Sequence, residues 1–195
     1  MMFSADPKAR AALTPGTIYA TSGEEGWIYY GQVTPSKLIG FFRHRSREIS
    51  APDEVLVAPI MAIVAVIHHS IGQALRAGRW KKFGKYDLHP ELLKPVSSVQ
   101  WPVGTLMVTV WGGGRASYDT TIDDPAIQDM EIIAGWDAIY HIPKRLTADF
   151  GAEPAEWHVG GPVRRQRRMT EEYARRFPDM PWHQLPPNWV PTTVR

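Results

Sequence analysis

The chain reads as an α+β protein: a largely antiparallel, twisted sheet with a few short helices and a C-terminal amphipathic helix. Two observations predict this class. Short runs rich in aromatic and β-branched residues, among them TIYA, WIYYGQV and TLMVTVW, recur between Gly and Pro punctuation, which is the pattern of strands joined by turns. Helix-period stretches are short, and the clearest, over 163–177, sets Met169, Tyr173 and Phe177 four apart on one face. A chain of 195 residues has enough length to bury about 70% of its unfolded surface, so a core without staples is expected.

The first element is a hairpin, Thr17 to Ala20 and Trp27 to Val33, around the turn TSGEEG. Period-two alternation puts Trp27, Tyr29 and Gly31 on one face and Ile28, Tyr30 and Gln32 on the other. The aromatics are read as core. One of Tyr29 and Tyr30 is expected inside the sheet, with Trp27 near the turn partly exposed. A further strand follows in KLIGFFRHRS, where Arg43, Arg45 and Arg47 alternate onto one side. That row is read first as a solvated strand face and second as a phosphate comb.

The segment 58–80, APIMAIVAVIHHSIGQALRAGRW, fits a helical face and a doubly buried strand alike. Local punctuation favours a buried strand ending near Ile67 and a short helix from about 71 to 77, with Ser70 and Gln73 at capping-box spacing and Gly78 as its stop. A single turn at Pro90 to Leu93 comes next. VSSVQW and TLMVTVW then form strands, the second with Leu106, Val108 and Val110 on one face and Met107, Thr109 and Trp111 on the other. The glycine triplet 112–114 is read as a turn, since no phosphate-loop spacing surrounds it.

In the helix over 163–177, Glu171 precedes Arg175 and Glu172 precedes Arg176 by four, an order that supports a helix. Arg164, Arg165, Arg167 and Arg168 crowd its first turns, against the macrodipole. A partner, an acidic patch on the same molecule or a tolerated local cost would each account for them. The Pro-rich tail is expected to be anchored by Trp182 and Trp189. Residues 1–150 are taken as the α+β domain and 151–195 as a helix and tail packed on it.

Composition narrows function. The net charge of +2 is unevenly spread: residues 111–140 carry one base and six acids, and 141–195 carry nine bases and six acids. A uniformly basic nucleic-acid surface is not indicated. Cys is absent, which excludes disulfides, thiolate metal sites and a Cys nucleophile and suits a reducing cytoplasm. MMFSADPKARAAL lacks the apolar run of a signal peptide, and the run 55–67 is too short to span a bilayer. His68 and His69 are adjacent and diverge on a strand or a helix, so they do not make one metal site. Neither HExxH nor GxSxG occurs, and no spacing pairs a nucleophile with a base. Asp123-Asp124-Pro125 lacks the alternating ligands of a calcium loop and reads as an acidic turn.

Gly16, Tyr30, Gly31 and Val33 in the hairpin, Ala77, Gly78, Arg79 and Trp80 after the short helix, and Gly84, Leu88, Leu92 and Pro95 beyond it occur in an order that resembles immunity protein family 26 of bacteria. The likeness covers roughly residues 14–145. It implies a cytoplasmic, non-enzymatic protein that binds a cognate toxin domain and suppresses it by protein–protein contact, without cofactor, metal or membrane. Residues expected to meet a basic toxin are Asp119, Asp123, Asp124, Asp129 and Glu131 for steering, with Trp27 as an aromatic anchor. A nucleic-acid module using the arginines, or a metal-dependent hydrolase with dispersed His and Asp residues, are the competing classes.

Overall fold

The computed structural model describes residues 3–151 and 159–192. The fold is α+β, with two mixed, mostly antiparallel sheets. Residues 3–94 and 134–151 form one compact unit, and 95–133 with 159–192 form a second. A division at residue 150 is therefore not the one observed. Residues 95–133 cannot close a core alone, and they share theirs with the C-terminal segment: Val163 and Trp189 pack with Val99, Val108 and Val110.

In the first unit the strands are β1 (Thr17–Ser22), β2 (Ile28–Val33), β3 (Ile39–Ser46), β4 (Ile60–Val66), β5 (Trp80–Lys85) and β10 (Gly135–Trp136). They lie in the order β10-β4-β3-β2-β1-β5. All neighbours are antiparallel except β10, which runs parallel to β4. The helices are α1 (Pro52–Leu56), α2 (His68–Arg76) and α3 (Ile142–Phe150).

Both faces of this sheet are covered, which corrects the reading of the hairpin. Tyr29 packs in a cluster with Phe41, Val64, Ile71 of α2 and Leu146 of α3, while Tyr30 packs on the other side with Ile18, Phe42 and Val55 of α1. Both tyrosines are fully buried. The Tyr30 hydroxyl accepts from the Ser50 N–H at 2.8 Å, so its polar end is paired where the ring is dry. Gln32, also buried, donates to the Asp87 carbonyl at 2.8 Å and accepts from the His89 N–H at 3.0 Å. Those bonds tie β2 to the segment entering the Pro90 turn.

Segment 60–66 is the strand expected, but it alternates rather than being buried on both sides: Ala62, Val64 and Val66 point inward and Ala65 is exposed. α2 begins at His68, earlier than the spacing indicated. No Ser70–Gln73 capping box forms. Ser70 lies inside the first turn, where its hydroxyl donates to the Ile67 carbonyl at 2.7 Å and accepts from the Ala138 N–H at 2.9 Å. The stop is as expected. Gly78, at φ +65°, ends α2 with its N–H on the Leu75 carbonyl and the Arg79 N–H on that of Ala74, the two bonds of a Schellman motif. A Cβ at position 78 would run into the Phe3 carbonyl. Trp80 then drops into the core at 1% exposure.

The second unit holds β6 (Ser97–Gln100), β7 (Met107–Gly112), β8 (Tyr118–Thr121), β9 (Glu131–Ile132) and α4 (Val163–Arg176). Its sheet order is β8-β7-β6-β9, with only β6 and β9 parallel. Gly112, Gly113 and Gly114 all take positive φ in the β7–β8 turn, a conformation open to glycine at low cost.

The start of α4 explains its crowded arginines. The Val163 and Arg164 N–H groups, which have no partner inside the helix, donate to the Met130 and Gln128 carbonyls. Arg164 pairs with Asp129 at 2.6 Å, and buried Arg167 donates to Gln128 Oε1 and the Val190 carbonyl. Carbonyls, one carboxamide and a single carboxylate of the same unit thus receive Arg164, Arg165 and Arg167. Farther along, Glu172 pairs with both Arg175 and Arg176 at 2.6 Å. Glu171 does not join Arg175; it accepts from the Trp189 indole at 2.9 Å and from the Thr192 N–H and hydroxyl. Trp189 stacks on Trp101 at 5.9 Å between centroids and anchors the tail, whereas Trp182 is 68% exposed. Among the described residues no helix is long and apolar enough to cross a membrane.

Candidate functional site

Period-two geometry gives the second unit's sheet two unlike faces. Val99, Val108 and Val110 point into the core. Met107, Thr109 and Trp111 point the other way, and register carries their partners to that same outer face. Thr109 stands between Asp119 on β8 and Gln100 on β6, and Ser98 stands between Trp111 and Glu131 on β9. Side-chain bonds confirm the sharing. The Thr109 hydroxyl donates to Asp119 Oδ1 at 2.7 Å, and the Trp111 indole donates to Gln100 Oε1 at 3.0 Å.

The resulting surface carries polar Ser98, Gln100 and Thr109 along its two middle strands, exposed Met107 and Trp111 near the two ends of β7, and one acid on each edge strand. Met107 is 52% exposed and Trp111 47%, and Ile133, just past β9, is 53% exposed. A tryptophan held by a cross-strand hydrogen bond loses little further freedom on being covered, which is what an aromatic anchor needs. Two of the six residues expected to meet a partner, Asp119 and Glu131, therefore lie on one face beside an indole. Met107, Trp111 and Ile133 were not among those six, although the alternation in TLMVTVW already put Met107 and Trp111 on one side.

The other acids sit elsewhere in this unit. Asp124 caps the turn Pro125–Ile127: its Oδ1 accepts the Ala126 N–H at 2.8 Å and its Oδ2 the Thr120 hydroxyl at 2.7 Å. The Ala126 N–H first, then the Thr120 hydroxyl, hold its pKa below the usual aspartate value. Asp129 is paired with Arg164. Asp123 is partly buried in the same turn region.

Trp27 belongs to the first unit. Its ring is flanked by the guanidinium groups of Arg45 at 3.7 Å and Arg47 at 3.8 Å. Arg45 also lies 4.4 Å from the Phe150 ring centroid, and Arg43 donates to the Asp149 and Phe150 carbonyls. The arginine row is neither a bare solvated face nor an open comb. It stacks on aromatic rings and caps the C-terminal end of α3, where the helix dipole favours cations.

Among the described residues no group of three or more His, Asp or Glu side chains is placed to hold a metal ion. His68 and His69, at the start of α2, are both exposed. Compared with family models, curated proteins and solved structures, the chain matches none.

Proposed function

We propose that this chain is a binding protein of the immunity type, which neutralises a cognate bacterial toxin domain by covering it with the outer face of β6–β9. The observation that carries this reading is the exposed, hydrogen-bonded Trp111 on a face whose two edge strands each carry one acid. In protein–protein contacts a few aromatic anchors carry most of the affinity, with charged groups at the rim.

Charge selects the partner. Asp119 and Glu131 favour a basic surface, such as that of a toxin acting on nucleic acid, and raise the rate of encounter. The likeness of the Gly16–Pro95 residues to immunity protein family 26 supports the same class of function. Its elements build mainly the first unit, with Gly78 and Trp80 fixing the α2–β5 junction.

The test is protection. Candidate toxin domains are sought in the reading frames adjoining the gene, and cells producing the cognate one should survive when the chain is co-produced and die when Trp111→Glu replaces it, with equal amounts of soluble protein. Survival with Trp111→Glu would reject the face. Failure of the wild-type chain to protect would reject the function.

A further inference from the structure

We propose that the second unit also carries a pocket for a neutral, planar nitrogen heterocycle of the nucleobase class, taken as free base or nucleoside. Three stretches of chain line a half-open groove of about 230 Å³: Trp101 to Gly104 with Ile132 on the sheet side, Gln166 to Tyr173 along α4, and Trp182 to Pro186 in the tail. An apolar cavity of about 150 Å³ suffices for benzene, so this one takes a substituted or fused ring.

Its walls are flat. Tyr173 and His183 stack 4.9 Å apart and 7° from parallel, and Trp101 has one face covered by Trp189, leaving its other face for a ligand. Trp182 and Val103 line the cavity and remain 68% and 91% exposed. A ring bound there covers apolar surface now in water, the contribution that stacking on aromatics makes to base recognition.

Charge and hydrogen bonding narrow the class. No Asp, Glu, Lys or Arg lines the cavity, so an ion would give up hydration without a counter-charge. The same lack argues against a phosphate-bearing strand, whose affinity depends on Lys and Arg. Two polar side chains in the wall stand ready: among the described residues neither the Gln166 carboxamide nor the His183 ring nitrogens make a hydrogen bond. A carboxamide offers a donor and an acceptor together, the pair that matches a base edge. A plain hydrocarbon ring would cover both groups and leave them unsatisfied.

The test is calorimetric titration of the full chain with adenosine, guanosine, indole, adenosine monophosphate and a short Trp-containing peptide, followed in parallel by tryptophan fluorescence. One nucleoside is expected to saturate a single site and to bind about tenfold tighter than indole, the worth of one well-paired polar group. Gln166→Leu should remove that advantage and leave indole binding unchanged. Met169→Trp should fill the cavity and abolish both, with the thermal midpoint showing that the variant folds; if it does not fold, the Gln166→Leu comparison decides. The proposal is overturned if no nucleoside saturates a site, if Gln166→Leu leaves nucleoside affinity unchanged, or if the monophosphate or the peptide binds tighter than either nucleoside.

Discussion

The Trp80 indole donates its Nε1–H to the Ala138 carbonyl at 3.1 Å, a bond that joins the start of β5 to the segment before α3 across 58 residues of sequence. Both groups are in the dry core, so neither has water as an alternative partner. Trp80→Phe keeps a ring there but orphans the carbonyl, and should lower unfolding stability by about 1–3 kcal/mol. Trp80→Ala adds a cavity and should cost about 3–5 kcal/mol. Urea melts of the two variants measure both losses; equal stabilities of Trp80→Phe and wild type would remove the bond from the account.

Glu171 organises the tail. It takes three hydrogen bonds from Trp189 and Thr192, so Glu171→Ala frees all three donors while leaving the Glu172 pairs on α4 in place. Limited proteolysis should then cut after residue 177 faster than in wild type, while the rest of the chain resists. An unchanged cleavage rate would mean that the Trp101–Trp189 stack holds the tail without Glu171.

Asp124 makes stability depend on pH with a definite sign. Its pKa is lowered in the folded chain, so the carboxylate contributes fully above the unfolded value of about 3.9. That contribution fades as pH falls through the lower, folded value. Asp124→Ala should cost about 1 kcal/mol near neutrality, the usual worth of such a cap, and the difference from wild type should shrink in acid below pH of about 4. Denaturant melts across this range provide the check.

Much of the first unit was legible because its signals are local. The hairpin, the strand at Ile60–Val66 and the GRW junction each depend on neighbours in sequence. Burial of both Tyr29 and Tyr30 was not, because alternation identifies two faces without telling how many are covered, and the second cover comes from α1 and the N-terminal segment around Phe3. Glu171 has an arginine at the right helical spacing, and that local pairing yields to tail donors about twenty residues away. Of the candidate site, the acids were legible by type, but the company of Asp119 and Glu131 follows from strand register across β8, β7, β6 and β9. The pocket beside α4 has no local signature at all, since its walls come from three separated stretches.

Charge on the proposed binding face should act on association. Asp119→Lys with Glu131→Lys should slow the on-rate for a basic partner on the order of tenfold at low salt and flatten its salt dependence. Asp124→Lys should act chiefly through stability, because that carboxylate is held by Ala126 and Thr120. Stopped-flow or biosensor rates at several salt concentrations separate the two effects.

If the outer face of β6–β9 seats another polypeptide around Trp111, the decisive measurement is the equilibrium affinity of wild type and Trp111→Ala for a toxin domain that the wild-type chain neutralises. Wild type should bind tightly and Trp111→Ala should lose about 2 kcal/mol or more, some thirtyfold in Kd, at an unchanged melting temperature. Equal affinities for the two proteins would contradict that seating.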